Sequence, residues 1–196
     1  MTYLLDANIL MDFQSSGLLA ELVKASHVVE FAVVEEVFDE FTLEKPDDSG
    51  NVVGKKRRAA SSLELARIKK IAIMPGTPEK TLMVTLSGKR TKDKGEAASI
   101  AIAVGDRSLI FVTGDKNATI WALNELFHSG ERVMRVPVFI RTLFELNALG
   151  PSSVKRIAEG VEKNRGPIPS WWTAWLASMP TERAQAARDC DKPRDG

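Results

Sequence analysis

The sequence predicts an α/β fold in which a parallel sheet carries helices on its faces. Three observations predict it. Short apolar runs that read as strands alternate with segments of helical periodicity. The strand runs are almost continuously apolar, the pattern of strands buried on both faces, and do not alternate with polar residues. Two of them end abruptly in an acidic residue at the carboxyl end, the side of an open α/β sheet where ligands bind. With 196 residues, 44% of them hydrophobic, the chain is long enough for one ordinary domain, a single sizeable core and an extension.

The first run, Tyr3-Leu4-Leu5, breaks at Asp6-Ala7-Asn8 before Ile9-Leu10. It reads as a buried strand that brings Asp6 to the mouth of a cleft, although Asp6 or Asn8 as a helix cap is the plainer reading of this stretch alone. Residues 9–13 and 18–24 carry apolar side chains at helical spacing around Ser15-Ser16-Gly17, giving two short helices. Residues 27–34 form a second strand and 35–42 a helix, with Val37 and Phe41 inward and Glu36 and Glu40 one turn apart on a neighbouring face. An acidic solvated surface explains those two glutamates equally well.

Residues 44–56, with Pro46, Asp47, Asp48, Ser49 and Gly50, read as an exposed loop, and Lys55-Lys56-Arg57-Arg58 is the densest basic run. Residues 61–70 are broadly helical, 70–74 form a third strand, and 77–88 a helix with Leu82, Val84 and Leu86 partly buried. After a polar, mostly basic connector at 89–94, Gly95-Glu96 opens an alanine-rich helix through Val104. A fourth strand at 108–113 runs into Gly114-Asp115-Lys116-Asn117 and a helix over 118–127, so Asp115 repeats the setting of Asp6. A fifth strand is expected at 132–139 and a helix at 140–149, closing a domain at Gly150-Pro151. Beyond it, residues 151–180 form a helical extension. Val154, Ile157, Ala158 and Val161 fall on one face of a docking helix, and Trp171, Trp172 and Trp175 form an aromatic patch. A patch of this kind closes a core or an interface more often than it stacks on bases. The charged stretch 181–196 reads as a flexible tail.

Charge and cysteine content narrow the function. Lys+Arg 27 against Asp+Glu 26 gives a net charge of +1, so affinity for nucleic acid must come from local basic patches. The single cysteine, Cys190, excludes an internal disulfide or a thiolate metal cluster and fits a reducing compartment. No apolar stretch approaches the ~20 residues that span a bilayer, and the N-terminus lacks a signal-peptide layout, so a soluble, cytoplasmic protein is expected.

Asp6, Glu40, Glu96 and Asp115 each have an ordinary structural explanation, yet all four lie at strand carboxyl ends or on the helices that follow. Acids converging in one cleft repel unless a cation offsets them, and carboxylate oxygen suits Mg²⁺ or Mn²⁺ where His/Cys clusters for zinc are lacking. At these residues the chain resembles the PIN-domain family of metal-dependent nucleases, especially its small VapC-type members, over about residues 2–149. The opening motif is Leu5-Asp6-Ala7-Asn8-Ile9-Leu10. The second acid is matched by Glu40-Phe41, with Glu36 a close competitor. Gly95-Glu96-Ala97-Ala98 matches the third and Thr113-Gly114-Asp115 the fourth, while Asn117 stands where some members carry another acid.

The resemblance implies a PIN-like doubly wound parallel sheet of about five strands and a divalent-metal-dependent endoribonuclease. Asp6, Glu96 and Asp115 would be the principal Mg²⁺ or Mn²⁺ ligands, with Glu40 completing the site and Asn8 and Thr113 orienting ligands from behind. It further implies the toxin of a toxin–antitoxin pair, with RNA as substrate and a small antitoxin as partner. The extension past residue 150, with its three tryptophans, offers a surface for core cover, a homodimer or a partner. Two alternatives stand beside this reading. A PIN-like RNA-binding or scaffold protein would keep the fold without cleaving. A phosphatase of the haloacid-dehalogenase type also places Asp at the end of its first strand, but wants a second Asp where this chain has Asn8.

Overall fold

The computed structural model describes residues 1–42, 68–89, 93–126 and 130–180. Five strands, β1 (Thr2–Leu5), β2 (Glu30–Val34), β3 (Lys69–Ile71), β4 (Leu109–Thr113) and β5 (Val133–Arg135), form one all-parallel sheet in the order β3-β2-β1-β4-β5. The chain builds outward from β1 to β3, then returns past β1 to β4 and continues to β5. This is the doubly wound arrangement expected from the sequence, with helices on both faces. Among the described residues these are α1 (Ala7–Ser15), α2 (Leu19–Ala25), α3 (Glu35–Thr42), α4 (Pro78–Lys89), α5 (Lys94–Gly105), α6 (Lys116–Glu125), α7 (Val136–Glu145), α8 (Pro151–Arg165) and α9 (Ser170–Ser178).

The strand order puts β1 at the centre of the sheet, paired with β2 on one side and β4 on the other. The chain reverses its direction of winding between β1 and β4, so their carboxyl ends flank the crevice where α/β sheets of this kind place ligands. Thr2 pairs with Leu109 and Leu5 with Val112. The Asp6 amide extends that ladder by donating to the Val112 carbonyl at 3.0 Å. Asp6 is therefore level with Thr113.

Packing explains why these segments became these elements. Leu4, Leu5, Ala32, Val33, Val34, Phe111 and Val112 are wholly buried, as strands covered on both faces require. Tyr3 and Phe31, paired in register across β1 and β2, lie 6.3 Å apart by ring centroids, and Phe139 from α7 caps both at 5.5 and 6.0 Å. On α5 the run from Gly95 to Ala101 is buried at every position, so Gly, Ala and Ser let that helix sit deep against its neighbours. The helix read at 35–42 is present with Val37 and Phe41 inward.

Several boundaries depart from the sequence reading. The fifth strand, expected over 132–139, is only Val133–Arg135; the chain becomes helical at Val136 because Pro137 in the first turn lacks an amide to give to a sheet and sets the backbone for a helix. The third strand is Lys69–Ile71, one residue earlier than expected and ending before Met74. The helix read at 77–88 is present as α4, with Leu82 partly buried and Leu86 buried as expected; Val84 is exposed instead, and Met83, three residues before Leu86, takes the inward position. The loop at 44–56, the basic run at Lys55–Arg58, most of the helix read at 61–70 and the tail at 181–196 lie outside the described residues.

The extension packs into the same apolar core as the sheet. Val154, Ile157, Ala158 and Val161 are buried, and α8 lies against α1 and α7. Trp172 is wholly buried, and Trp175 meets Phe144 of α7 edge to face at 5.7 Å. Since Ile157 is fully buried on α8, Ile157→Ala is expected to destabilise the whole protein by about 2–5 kcal/mol in a single cooperative urea transition. An independent low-stability transition for the extension would contradict this packing.

Candidate active site at the carboxyl ends of β1 and β4

Asp6 follows β1 directly and is 2% exposed. Its Oδ2 accepts a hydrogen bond from Thr113 Oγ1 at 2.8 Å and another from Asn8 Nδ2 at 3.2 Å. Thr113 in turn accepts the Asp115 amide at 3.1 Å, which fixes its hydroxyl proton on the side of Asp6. A chain of hydrogen bonds thus crosses the switch point from the β4 loop to the β1 loop. Both side-chain bonds fall on Oδ2, so Oδ1 accepts from neither Thr113 nor Asn8.

Burial pushes the Asp6 carboxyl up to about 6. The Thr113 and Asn8 bonds pull the other way, and the nearby Asp93 carboxylate adds to the rise. Among the described residues, no basic side chain is one of the groups that set its ionisation. Asp6 occupies the N-cap position of α1, yet its side chain makes no capping bond. The simple cap reading therefore does not describe Asp6.

Asp115 does act as a cap. Its Oδ1 accepts from the amides of Asn117 at 2.6 Å and Ala118 at 2.9 Å, satisfying two of the free donors that open α6. Asp6 and Asp115 look alike in sequence but differ in what their carboxylates touch. Asn117 gives its amide to this cap and is otherwise solvent-exposed.

The other acids gather around the start of α5. Glu96, in its first turn, is buried. Glu36, Glu40 and Asp93 line one hollow of about 390 Å³ together with Gly95. Gly95 gives these side chains room: a Cβ would lie 3.0 Å from Val37 Cγ2, 3.2 Å from Glu40 Oε2 and 3.3 Å from Asp93 Oδ1, so they would have to draw back slightly. Glu36 Oε2 is buried and has no hydrogen-bond partner among the described residues, a costly state for a carboxylate oxygen. Both candidates for the second acid are therefore in the same hollow.

Two residues here were passed over in the sequence reading. Asp93 caps α5, its Oδ1 accepting from the Gly95 amide at 2.8 Å and the Glu96 amide at 3.1 Å. The signal was present, because Asp93 stands three residues before Glu96 in the capping-box spacing. Arg165, the last residue of α8, reaches back to the site. Its Nε donates to Asp12 Oδ1 and Oδ2 at 3.2 and 3.0 Å, and its Nη2 to the Asn8 carbonyl at 3.1 Å. Burial raises the Asp12 carboxyl, and the Arg165 bonds and charge offset part of that rise. The guanidinium also lies over Gly114, where an added Cβ would meet Arg165 Cζ at 2.5 Å. A basic residue in the last turn of a helix is too common to announce such a contact.

The donor set is all carboxylate, the chemistry that hard divalent cations take. Among the described residues, however, no group of three or more His, Cys, Asp or Glu side chains is placed to hold a metal ion. Also among the described residues, no helix is long and apolar enough to cross a membrane. Comparison with protein-family models, with curated proteins and with solved structures finds no match to this chain.

Two predictions follow from the contrast between the strand-end acids. The folded Asp6 carboxyl binds its proton more tightly than the ordinary value of 3.8, so the native state holds more protons between pH 4 and 6 and stability falls as pH rises through that window. Asp6→Asn should remove this cost, raising stability above pH 6 by up to about 3 kcal/mol relative to the wild type. The gain should vanish near pH 4, as read from denaturant midpoints at the two pH values. Asp115→Ala should lose about 0.5–2 kcal/mol with the cap, whereas Asp115→Asn, a good cap, should lose little.

Proposed function

We propose that this chain is a divalent-metal-dependent endoribonuclease of the PIN type. The observation that carries the reading is Asp6: a buried carboxylate at the switch point of a doubly wound sheet, held by Thr113 and Asn8, with no basic side chain among the described residues that set its ionisation. Burying such a charge is costly, and functional sites are where that cost is commonly borne. The chain order of Asp6, Glu40, Glu96 and Asp115 supports the assignment through its resemblance to PIN nucleases.

In this reading Asp6, Glu96 and Asp115 would be the residues to hold the cation, with Glu40 or Glu36 completing the set, although among the described residues they are not drawn together around one point. Mg²⁺ or Mn²⁺ there would supply charge neutralisation at the scissile phosphate and a water of lowered pKa. Thr113 and Asn8 orient the Asp6 carboxylate by occupying Oδ2. Asp93 fixes the first turn of α5, and with it the backbone that carries Glu96, while Arg165 bonds the end of α8 to α1 just past Asp6 and lies against Gly114. Lys116, beside Asp115, offers a charge for a flanking phosphate. Such a contact strengthens binding without choosing a sequence.

As a VapC-type toxin, the protein would act on cellular RNA and be silenced by a small antitoxin covering the acidic cleft. A second reading, a PIN-like RNA binder that does not cleave, draws on Asp115, whose carboxylate already serves as a helix cap. Purified wild-type protein is expected to cleave a mixed RNA pool with Mg²⁺ or Mn²⁺ and not with excess EDTA. Folded Asp6→Asn is expected to lose at least a hundredfold in rate, on the order of magnitude seen when one key group is removed from an electrostatic site. Metal should raise the melting temperature of the wild type more than that of Asp6→Asn. Equal cleavage by both proteins would overturn the assignment, and RNA binding without cleavage would favour the second reading.

A further inference from the structure

A cavity of about 820 Å³ opens beside the acidic site, at the carboxyl ends of β4 and β5. Gly114, Asp115 and Lys116 form one side, and the segment from Arg165 through Trp171 and Trp172 forms the other. It falls in the size range of small-ligand sites. Asp115 lines this cavity and donates its amide to Thr113, so one wall residue of the cavity is linked to the hydrogen-bond chain that ends on Asp6.

The three tryptophans of α9 have separate situations. Trp172 is wholly buried and Trp175 is packed on Phe144, so these two anchor the helix. Trp171 lines the cavity and remains 43% exposed, although an indole is among the costliest surfaces to leave in water. The wall before it is stiff. Gly166, at φ 86° and ψ −168°, takes a turn open almost only to glycine, and Pro167 and Pro169 each fix one backbone angle. Such a wall loses little freedom when a ligand binds.

Charge selects the class of ligand. Arg135 and Lys116 both line the cavity, are exposed, and form no salt bridge among the described residues. Arg165 is held by Asp12, and the acids on the lining are Asp115 and Glu131. An exposed indole, two available cations and apolar sides together suit a nucleotide whose base is unstacked, because a duplex hides its base faces.

We propose that this cavity is a subsite for one nucleotide of single-stranded RNA, with the base on Trp171 and the adjoining backbone phosphate between Arg135 and Lys116. The proposal rests on the nuclease reading for the identity of the substrate. It makes the C-terminal extension part of the substrate groove, next to the acids that would cut.

The test is fluorescence anisotropy of a labelled single-stranded oligoribonucleotide of mixed sequence with the full chain in EDTA, so that binding is read without cleavage. A duplex of the same sequence is measured alongside. The wild type should bind the single strand more tightly than the duplex, and Trp171→Ala should weaken single-strand binding by about five- to a hundredfold. Trp171→Phe, which keeps an aromatic face, should retain most of the affinity. Arg135→Gln should lower the slope of log affinity against log salt by about 0.7, one phosphate contact on a single strand. Unchanged binding by Trp171→Ala, equal binding of duplex, or no RNA binding by the wild type would overturn the subsite. Cleavage assays separate the two ideas. Trp171-dependent binding without metal-dependent cleavage defeats the nuclease reading alone, and cleavage with Trp171-independent binding defeats the subsite alone.

Discussion

The structure depends on one carboxylate placed where the sheet changes direction. Asp6 is buried at the end of the central strand, and its position follows from the register of β1 against β4, which sets it level with Thr113. A slip of one residue in that pairing would turn every β1 side chain to the opposite face and break the bond to Thr113. The apolar residues that hold the register, Leu4, Leu5, Phe111 and Val112, are therefore what aim the polar ones. Stability comes from the strands, and the site spends part of it by keeping a carboxyl in an environment that pushes it up to about 6.

Around Asp6 the helix N-termini arrange the remaining acids. Asp93 and Asp115 each satisfy two backbone amides, at the starts of α5 and α6, and so hold the first turns that border the site. Capping and function are not exclusive here. A cap uses one carboxylate oxygen, Oδ1 in both residues, and fixes the direction of the side chain that carries the other. Gly95 adds to this, since the absence of a Cβ lets Val37 and Glu40 of α3 sit close against the start of α5.

Much of the fold was legible because its determinants are local. Continuous apolar runs named the strands, and the helical spacing of Val154, Ile157, Ala158 and Val161 named the buried face of α8. The errors arose where local signals compete. Residues 132–139 carry strand-forming valines and a phenylalanine, but Pro137 starts a helix there; in α4 the helix is as read, but the alternating apolar pattern put Val84 inward where Met83 is the buried residue. In the site, Asp6 was legible from its place after β1, while Asn8 and Thr113 entered through the resemblance to PIN nucleases; their hydrogen bonds to Asp6 now join all three. Arg165 was not, because its partner Asp12 is 153 residues away and no spacing rule connects them. Nor could sequence distinguish Asp6 from Asp115, since whether a strand-end acid caps or stays free of the helix depends on side-chain direction.

Arg165 shows how the extension and the site constrain each other. Its guanidinium bonds to Asp12 on α1 and to the Asn8 carbonyl beside Asp6, while lying against Gly114 after β4. One side chain from the end of α8 is thus bonded to α1 just past Asp6 and packed on Gly114 just past β4. Charge-assisted bonds to a buried carboxylate are directional and are costly to break singly, so the end of α8 has little freedom. The chain must then turn at Gly166, and the prolines that follow carry it to Trp172, whose burial seats α9. Trp171 is set at the cavity edge by fixed points on both sides of it: the Arg165 contacts before and the Trp172 anchor after. The same contacts that secure the extension to the core therefore determine where its exposed indole stands relative to Asp115, and through Thr113 relative to Asp6.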